Sequence, residues 1–192
     1  MQSGRLAECG RSQTIPASMH LRYATAAAHA EVETAFAAFM AAPARHLTEF
    51  LSAQHAAACA LMRARSGPVL PEEGDLLEEF ARELEAEIPA GRILTVTSPR
   101  PLCAEATAYL ALGSRLGAEV IKRRLAEAGL PCPRAFEPTP PSLEWRAFRA
   151  RIDRLDPDSR AFHRIVRDAN AGFSVFATAA HAAFRAPMKE AV

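Results

Sequence analysis

Little in this sequence would set it apart from an ordinary globular chain. Its longest apolar runs fall far short of the ~18 residues that a membrane span needs, so none is expected. The start, MQSGRLAECGRSQTIPAS, lacks the apolar core of a signal peptide, which makes a cytoplasmic protein the expectation. Neither sign of charge dominates: 23 basic side chains face 22 acidic ones, which argues against a general nucleic-acid binder. Cysteine is sparse and scattered, at Cys9, Cys59, Cys103 and Cys132, with no C-x-x-C. That spacing speaks against a structural zinc site or a disulfide framework. Strand-forming residues gather only in IPAGRILTVTSPRP (88–101), which is short, ends in proline and reads as a connector. No segment repeats.

What is abundant is helix. Residues 1–17 read as a flexible leader, 18–186 as one all-α domain and 187–192 as a tail. Within the domain, 18–40 is rich in strong helix formers, with Ser18 as its expected cap. Residues 43–65 place Leu47, Phe50, Leu51, Ala58, Leu61 and Met62 at helical spacing, giving one buried face. A break at SGPVLPEEG precedes an amphipathic helix over 75–87 that opens on Asp75. Another helix runs from about 102 to 128 and is stopped by Gly129 and Pro131. After a proline-rich connector come a short helix, 143–155, and a long one, 156–184. The long one is expected to start with Asp156 as cap and Pro157 at its first position. Six or seven helices in a single bundle follow.

The segment LALGSRLGAEV (110–120) raises a question. Gly113 and Gly117 lie one turn apart inside a helix, and each costs roughly 1 kcal/mol against alanine. Two explanations compete. A small-x-x-x-small patch lets two helices approach closely. Alternatively, the bare backbone must sit against a flat ligand that any Cβ would push away.

A second segment, LRYATAAAHAEVE (21–33), sets His29 among Ala26, Ala27, Ala28 and Ala30, with Glu33 one turn on. Small neighbours leave an imidazole open to a metal, and a carboxylate one turn away can orient the ring through its other nitrogen. Arg22 lies two turns before His29 on roughly the same face, where it could meet an anionic edge of the same ligand.

Taken together, these segments resemble heme oxygenase, most closely the biliverdin-forming bacterial branch often found beside bacteriophytochromes. Leu21, Arg22, Thr25, His29 and Glu33 match that family's proximal pattern, and Gly113, Ser114, Leu116 and Gly117 match its distal G-S-x-L-G. FRARI (148–152) is similar to a helix whose first arginine meets a heme propionate, here Arg149. DANAGFSVF (168–176) resembles the last helix, whose aromatic, here Phe173, lines the pocket. The likeness spans roughly 18–184.

The resemblance implies an all-α heme-oxygenase-like bundle, with heme between the N-terminal helix and a distal helix kinked at its glycines. It implies cleavage of heme b, which is both substrate and cofactor. Molecular oxygen and electrons from an external donor would be consumed, and biliverdin, Fe2+ and CO released. His29 would be the axial iron ligand and Glu33 its orienting partner. Gly113 and Gly117 would form the distal wall, with Ser114 near the distal water; Arg22 and Arg149 would meet the propionates. The implied partners are a ferredoxin or flavodoxin-type reductase and a bacteriophytochrome receiving the biliverdin. The chain departs from the family where an aspartate often follows the first glycine, here Ser114, and where a glycine often follows the second, here Ala118. The alternatives are a non-catalytic heme carrier or sensor of the same fold, and a helical scaffold without heme.

Other candidates carry weaker signals. His55 and Cys59 share a helix face, but two ligands do not make a metal site. His20 and His46 are expected at the surface, and His163 and His181 lie on the last helix. Lys122, Arg123 and Arg124 supply solubilising charge, or a contact for an acidic electron donor.

Overall fold

The computed structural model describes residues 15–185. The expected tail, 187–192, and the leader up to residue 14 lie outside the described residues. The described chain is all-α. Its helices are α1 (Ala17–Ala35), α2 (Ala37–Ala41), α3 (Pro43–Ala64), α4 (Leu76–Glu87), α5 (Ala104–Glu127), α6 (Ser142–Ile152) and α7 (Arg160–Arg185), with a 3-10 turn at Arg134–Phe136. Two short strands, β1 (Arg65–Ser66) and β2 (Leu102–Cys103), pair in parallel, Arg65 opposite Leu102. Two-residue strands leave no alternating pattern to read, so the sequence does not announce them. Residues 88–101 hold neither helix nor strand and form the expected connector.

The last helix organises the molecule, packing on α1, α3 and α5. The C-terminal half of α7 contributes Val175, Phe176, Ala179 and Ala183 to a core shared with α3, α4 and α5. There Phe36, Phe39, Phe50, Phe80 and Phe136 form a connected run of rings; Phe39 and Phe50 stack 3.9 Å apart. The N-terminal half of α7 sends Phe162, Ile165 and Ala169 into a second cluster with Leu21, Leu112, Phe148 and Ile152. A single 26-residue helix thus ties the α1–α5–α6 side to the α3–α4 side.

Several helix ends differ from expectation because distant groups decide them. The first helix breaks at Phe36, whose ring packs edge-on against Phe50 and Phe184; the chain turns there and buries Phe39 on α2. Ser18 is not a cap. The helix begins at Ala17, behind Pro16, and the Ser18 backbone N–H donates to Asp153 Oδ1, 2.8 Å away and 135 residues on. A carboxylate from another part of the chain therefore satisfies a free N–H of the first turn. In the last helix, Asp156 and Pro157 form a preceding turn, with Asp156 Oδ1 accepting from the Asp158 N–H. The cap is Ser159, whose Oγ accepts from the Phe162 N–H at 3.2 Å, so α7 starts at Arg160. Gly129 behaves as expected: at φ +69° it lets the Leu130 N–H reach the Leu125 carbonyl and closes α5.

The glycine that serves helix packing is Gly172 on α7. A Cβ there would collide with Leu110 Cδ1 and press on Leu61, so α5 and α3 close on α7 at that point. Gly172→Ala is expected to lower stability by ~1–3 kcal/mol, as overpacking does, despite alanine's better helix propensity. A thermal melt with no fall in Tm would show that Leu110 has room to move.

Near β1, the fully buried Glu73 pairs with Arg65, and its Oε2 has no partner. Burial pushes the Glu73 carboxyl up from 4.5 to about 7, against the opposing pull of Arg65. The folded protein thus holds this proton more tightly than the unfolded chain. The stability contributed is complete below the ordinary carboxylate range and is lost as pH rises through about 7. Glu73→Gln should flatten that decline, seen as urea midpoints that change less between about pH 5 and pH 8 than in the parent. Equal pH dependence in both proteins would remove Glu73 as the cause.

Candidate functional site

Helix α1 belongs to the core only as far as Thr25. Ala17, Ser18, Leu21 and Thr25 are buried, whereas Ala26, Ala27, His29 and Ala30 are exposed. Thr25 marks the change. Its hydroxyl lies 2.9 Å from the Leu21 carbonyl and 3.1 Å from the Tyr109 hydroxyl, tying α1 to α5. Asn170 of α7 donates to the Ala24 carbonyl and holds the same turn from the other side. Beyond it, the His29 side chain is 58% exposed, with Nδ1 3.5 Å from Glu33 Oε1. Its Nε2 makes no hydrogen bond among the described residues. The expected pair of His29 and Glu33 is therefore present, one ring nitrogen toward the carboxylate and the other free to ligate.

Two rings connect His29 to the glycine-bearing helix. His29 meets Phe173 of α7 edge-on at 5.5 Å, and Phe173 meets Tyr109 of α5 edge-on at 6.2 Å. Gly113 follows Tyr109 by one turn and Gly117 by two, so all three share a stripe of α5. An added Cβ would meet nothing within 4 Å at either glycine. The helix-packing explanation fails on that observation, because among the described residues no helix packs against either glycine. Helix α5 continues as α-helix through both glycines, so the expected kink does not interrupt the helix there.

Within GSRLG the side chains divide. Ser114 is half-buried, and its hydroxyl donates to the Ala111 carbonyl at 2.8 Å. Arg115 turns into the core, where it donates to the Ala135 carbonyl and lies over the Phe80 ring at 5.1 Å. Burial lowers its pKa, against the opposing pull of the Glu79 carboxylate. Ala118 is buried. A small residue after Gly117 is therefore set by packing on the far side of the helix.

Arg22 and Arg149 come together. Both line a cavity of about 90 Å³ whose other walls include Tyr109, Trp145 and Phe148. That volume holds a carboxylate and water but not a porphyrin. Tyr109, Trp145 and Phe148 stack with centroids 5.8–6.3 Å apart and form an aromatic wall of the same cavity. Burial raises the Tyr109 pKa, so its hydroxyl stays protonated beside Thr25. Tyr109 and Trp145 were not among the expected site residues. Their signal was positional: each lies one turn before an expected residue, Gly113 and Arg149 respectively.

The remaining candidates dissolve. Cys59 Sγ is 3.4 Å from His55 Nε2, and burial lowers the imidazole's pKa while raising the thiol's, which makes a neutral core pair. Among the described residues no group of three or more His, Cys, Asp or Glu side chains is placed to hold a metal ion. His46, expected at the surface, is half-buried, with its ring edge-on to Phe184. His20 is half-buried too, while His163 and His181 are exposed. Lys122 pairs with Glu119, and Arg124 donates to the Met40 and Ala41 carbonyls at the end of α2. Of that basic run only Arg123 is left without a partner among the described residues. No described helix is long and apolar enough to cross a membrane.

No protein-family model, curated protein or solved structure matches this chain.

Proposed function

We propose that the protein is a heme oxygenase with a heme-oxygenase-like bundle, binding heme b between α1 and α5. The observation that carries this reading is the open space over Gly113 and Gly117, two glycines that helix packing does not require. The residues present fit the group. His29 offers an exposed imidazole with Nε2 free, Glu33 faces Nδ1, and Arg22 and Arg149 line one cavity of carboxylate size. Bound heme would supply the iron at which oxygen and external electrons react, and its own ring would open to biliverdin with release of Fe2+ and CO.

The chain's own residues do the rest. His29 would hold the iron through Nε2, and Glu33, facing Nδ1, would accept that nitrogen's proton in a hydrogen bond and orient the ring. Arg22 and Arg149 would pair with the two propionates and set the in-plane orientation. Phe173 and Tyr109 would exclude water from the apolar edge. Gly113 and Gly117 would keep side chains out of the space above the ring. Ser114, its hydrogen engaged by Ala111, would accept from water rather than donate. The electron donor would be a ferredoxin or flavodoxin-type reductase, and a bacteriophytochrome could take up the biliverdin in the cytoplasm.

The absence of an acidic side chain on GSRLG favours one alternative, a carrier or sensor that binds heme without breaking it down. Hemin added to the purified protein tests both readings. A Soret band should form, then decay on reduction in air with ascorbate or a ferredoxin system while a bilin band grows. A stable Soret band would establish the carrier, and no Soret shift at all would leave a helical scaffold.

A further inference from the structure

Asp168 is the most heavily attended carboxylate of the described chain. It sits on α7, 1% exposed, and its Oδ2 accepts the Cys103 backbone N–H at 3.1 Å. Three guanidiniums converge on it: Arg167 Nε at 3.2 Å and Arg100 Nε at 3.7 Å from Oδ1, and Arg164 Nε at 3.6 Å from Oδ2.

One buried carboxylate needs one cation. Here two further guanidiniums crowd the same spot, and like charges held this close repel. The other carboxylate acting on this corner is Glu105, half-buried at the start of α5. Even with Glu105 counted, three cations face two anions. The Cys103 thiol, pushed up to about 11 chiefly by burial, adds no charge.

The geometry of approach is informative. All three arginines reach Asp168 through Nε, and the terminal nitrogens of all three make no hydrogen bond among the described residues. Their side chains are 40–55% exposed. Each guanidinium is thus anchored by one edge and keeps donors for a second anion, the fork that matches an oxyanion. The cluster lies apart from the proposed heme cleft: Asp168 and Phe173 are five residues apart, about 140° around the α7 axis.

We propose that Arg100, Arg164 and Arg167, anchored on Asp168, form a binding site for a phosphate-type oxyanion. The carboxylate preorganises the three side chains, and the incoming anion relieves their repulsion. The site does not depend on heme.

The experiment follows the arginine Nε–Hε resonances of the full chain during titration with inorganic phosphate, with sodium chloride at equal ionic strength as control. Saturable shifts at Arg100, Arg164 and Arg167 are expected. A parallel titration with glycerol phosphate distinguishes the source: tighter binding identifies a phosphomonoester, and equal binding free phosphate. Arg100→Gln combined with Arg167→Gln should weaken binding at least about tenfold. Should that variant fail to fold, Arg164→Gln, which leaves Asp168 two partners, should weaken it in the same direction. Shifts no different from those with chloride, or a folded arginine variant that binds like the parent, would overturn the site and leave the triad as a cover for one buried charge.

Discussion

Replacing His29 by alanine is expected to abolish heme breakdown without unfolding the protein. The side chain is 58% exposed, and its ring neighbour is Phe173, so the substitution should move stability by no more than about ±0.5 kcal/mol. Turnover should fall more than about a hundredfold, because even the partners that merely orient a ligand contribute roughly 10–100-fold. Hemin should still bind, held by its apolar faces and by Arg22 and Arg149, but with an altered Soret band. Imidazole added in solution should restore part of the activity by occupying the vacated place. The checks are bilin formation, the hemin titration and an apo melt, each with and without imidazole. Full activity in His29→Ala would end its assignment as the iron ligand, and with it the proposed orientation of the heme.

Substitution at Gly117 should separate stability from function. Since a Cβ there meets nothing within 4 Å, Gly117→Ala relieves a helix interior of its glycine and should stabilise the apo protein by roughly 1 kcal/mol. Gly117→Leu should also leave the apo fold intact. Its side chain, however, would occupy the space proposed for the ring, and bilin formation should be lost. A higher or unchanged melting temperature in the heme-free variant, together with absent turnover, is the expected pattern. A leucine variant that turns heme over normally would mean that the open face of α5 is simply solvent-exposed surface. Gly172 supplies the internal contrast, since there the same change of residue meets Leu110 and should destabilise.

The contrast between these glycines shows what could be read in advance. Gly113, Gly117 and Gly172 all stand inside helical patterns, and the local sequence treats them alike. Only the first two were singled out, by their spacing, and that spacing suits a packing patch as well as a bare wall. Which of the two it is depends on what lies opposite, and the opposing helix belongs to another part of the chain. The same holds for Arg115, which lies between the open glycines in sequence yet is buried against Phe80 and Ala135. Arg22 and Arg149 were legible as candidates one at a time. That they share a cavity is a property of how α1 and α6 meet.

Helices were legible wherever their determinants are local. The apolar period of α3 and α4, the close of α5 at Gly129 and the proline-rich connector all follow from residues within a turn or two of the feature. The placement of Glu33 one turn after His29 is equally local, and the structure retains it. What only the tertiary structure decided are features whose partners are far away in sequence. Asp153 satisfies the start of α1, Phe50 and Phe184 break the first helix at Phe36, and Arg100 joins Arg164 and Arg167 at Asp168. Helical hydrogen bonds and caps span three or four residues and are written in the chain beside them. Burial, charge convergence and open space arise between segments, and they exist only once the helices have packed.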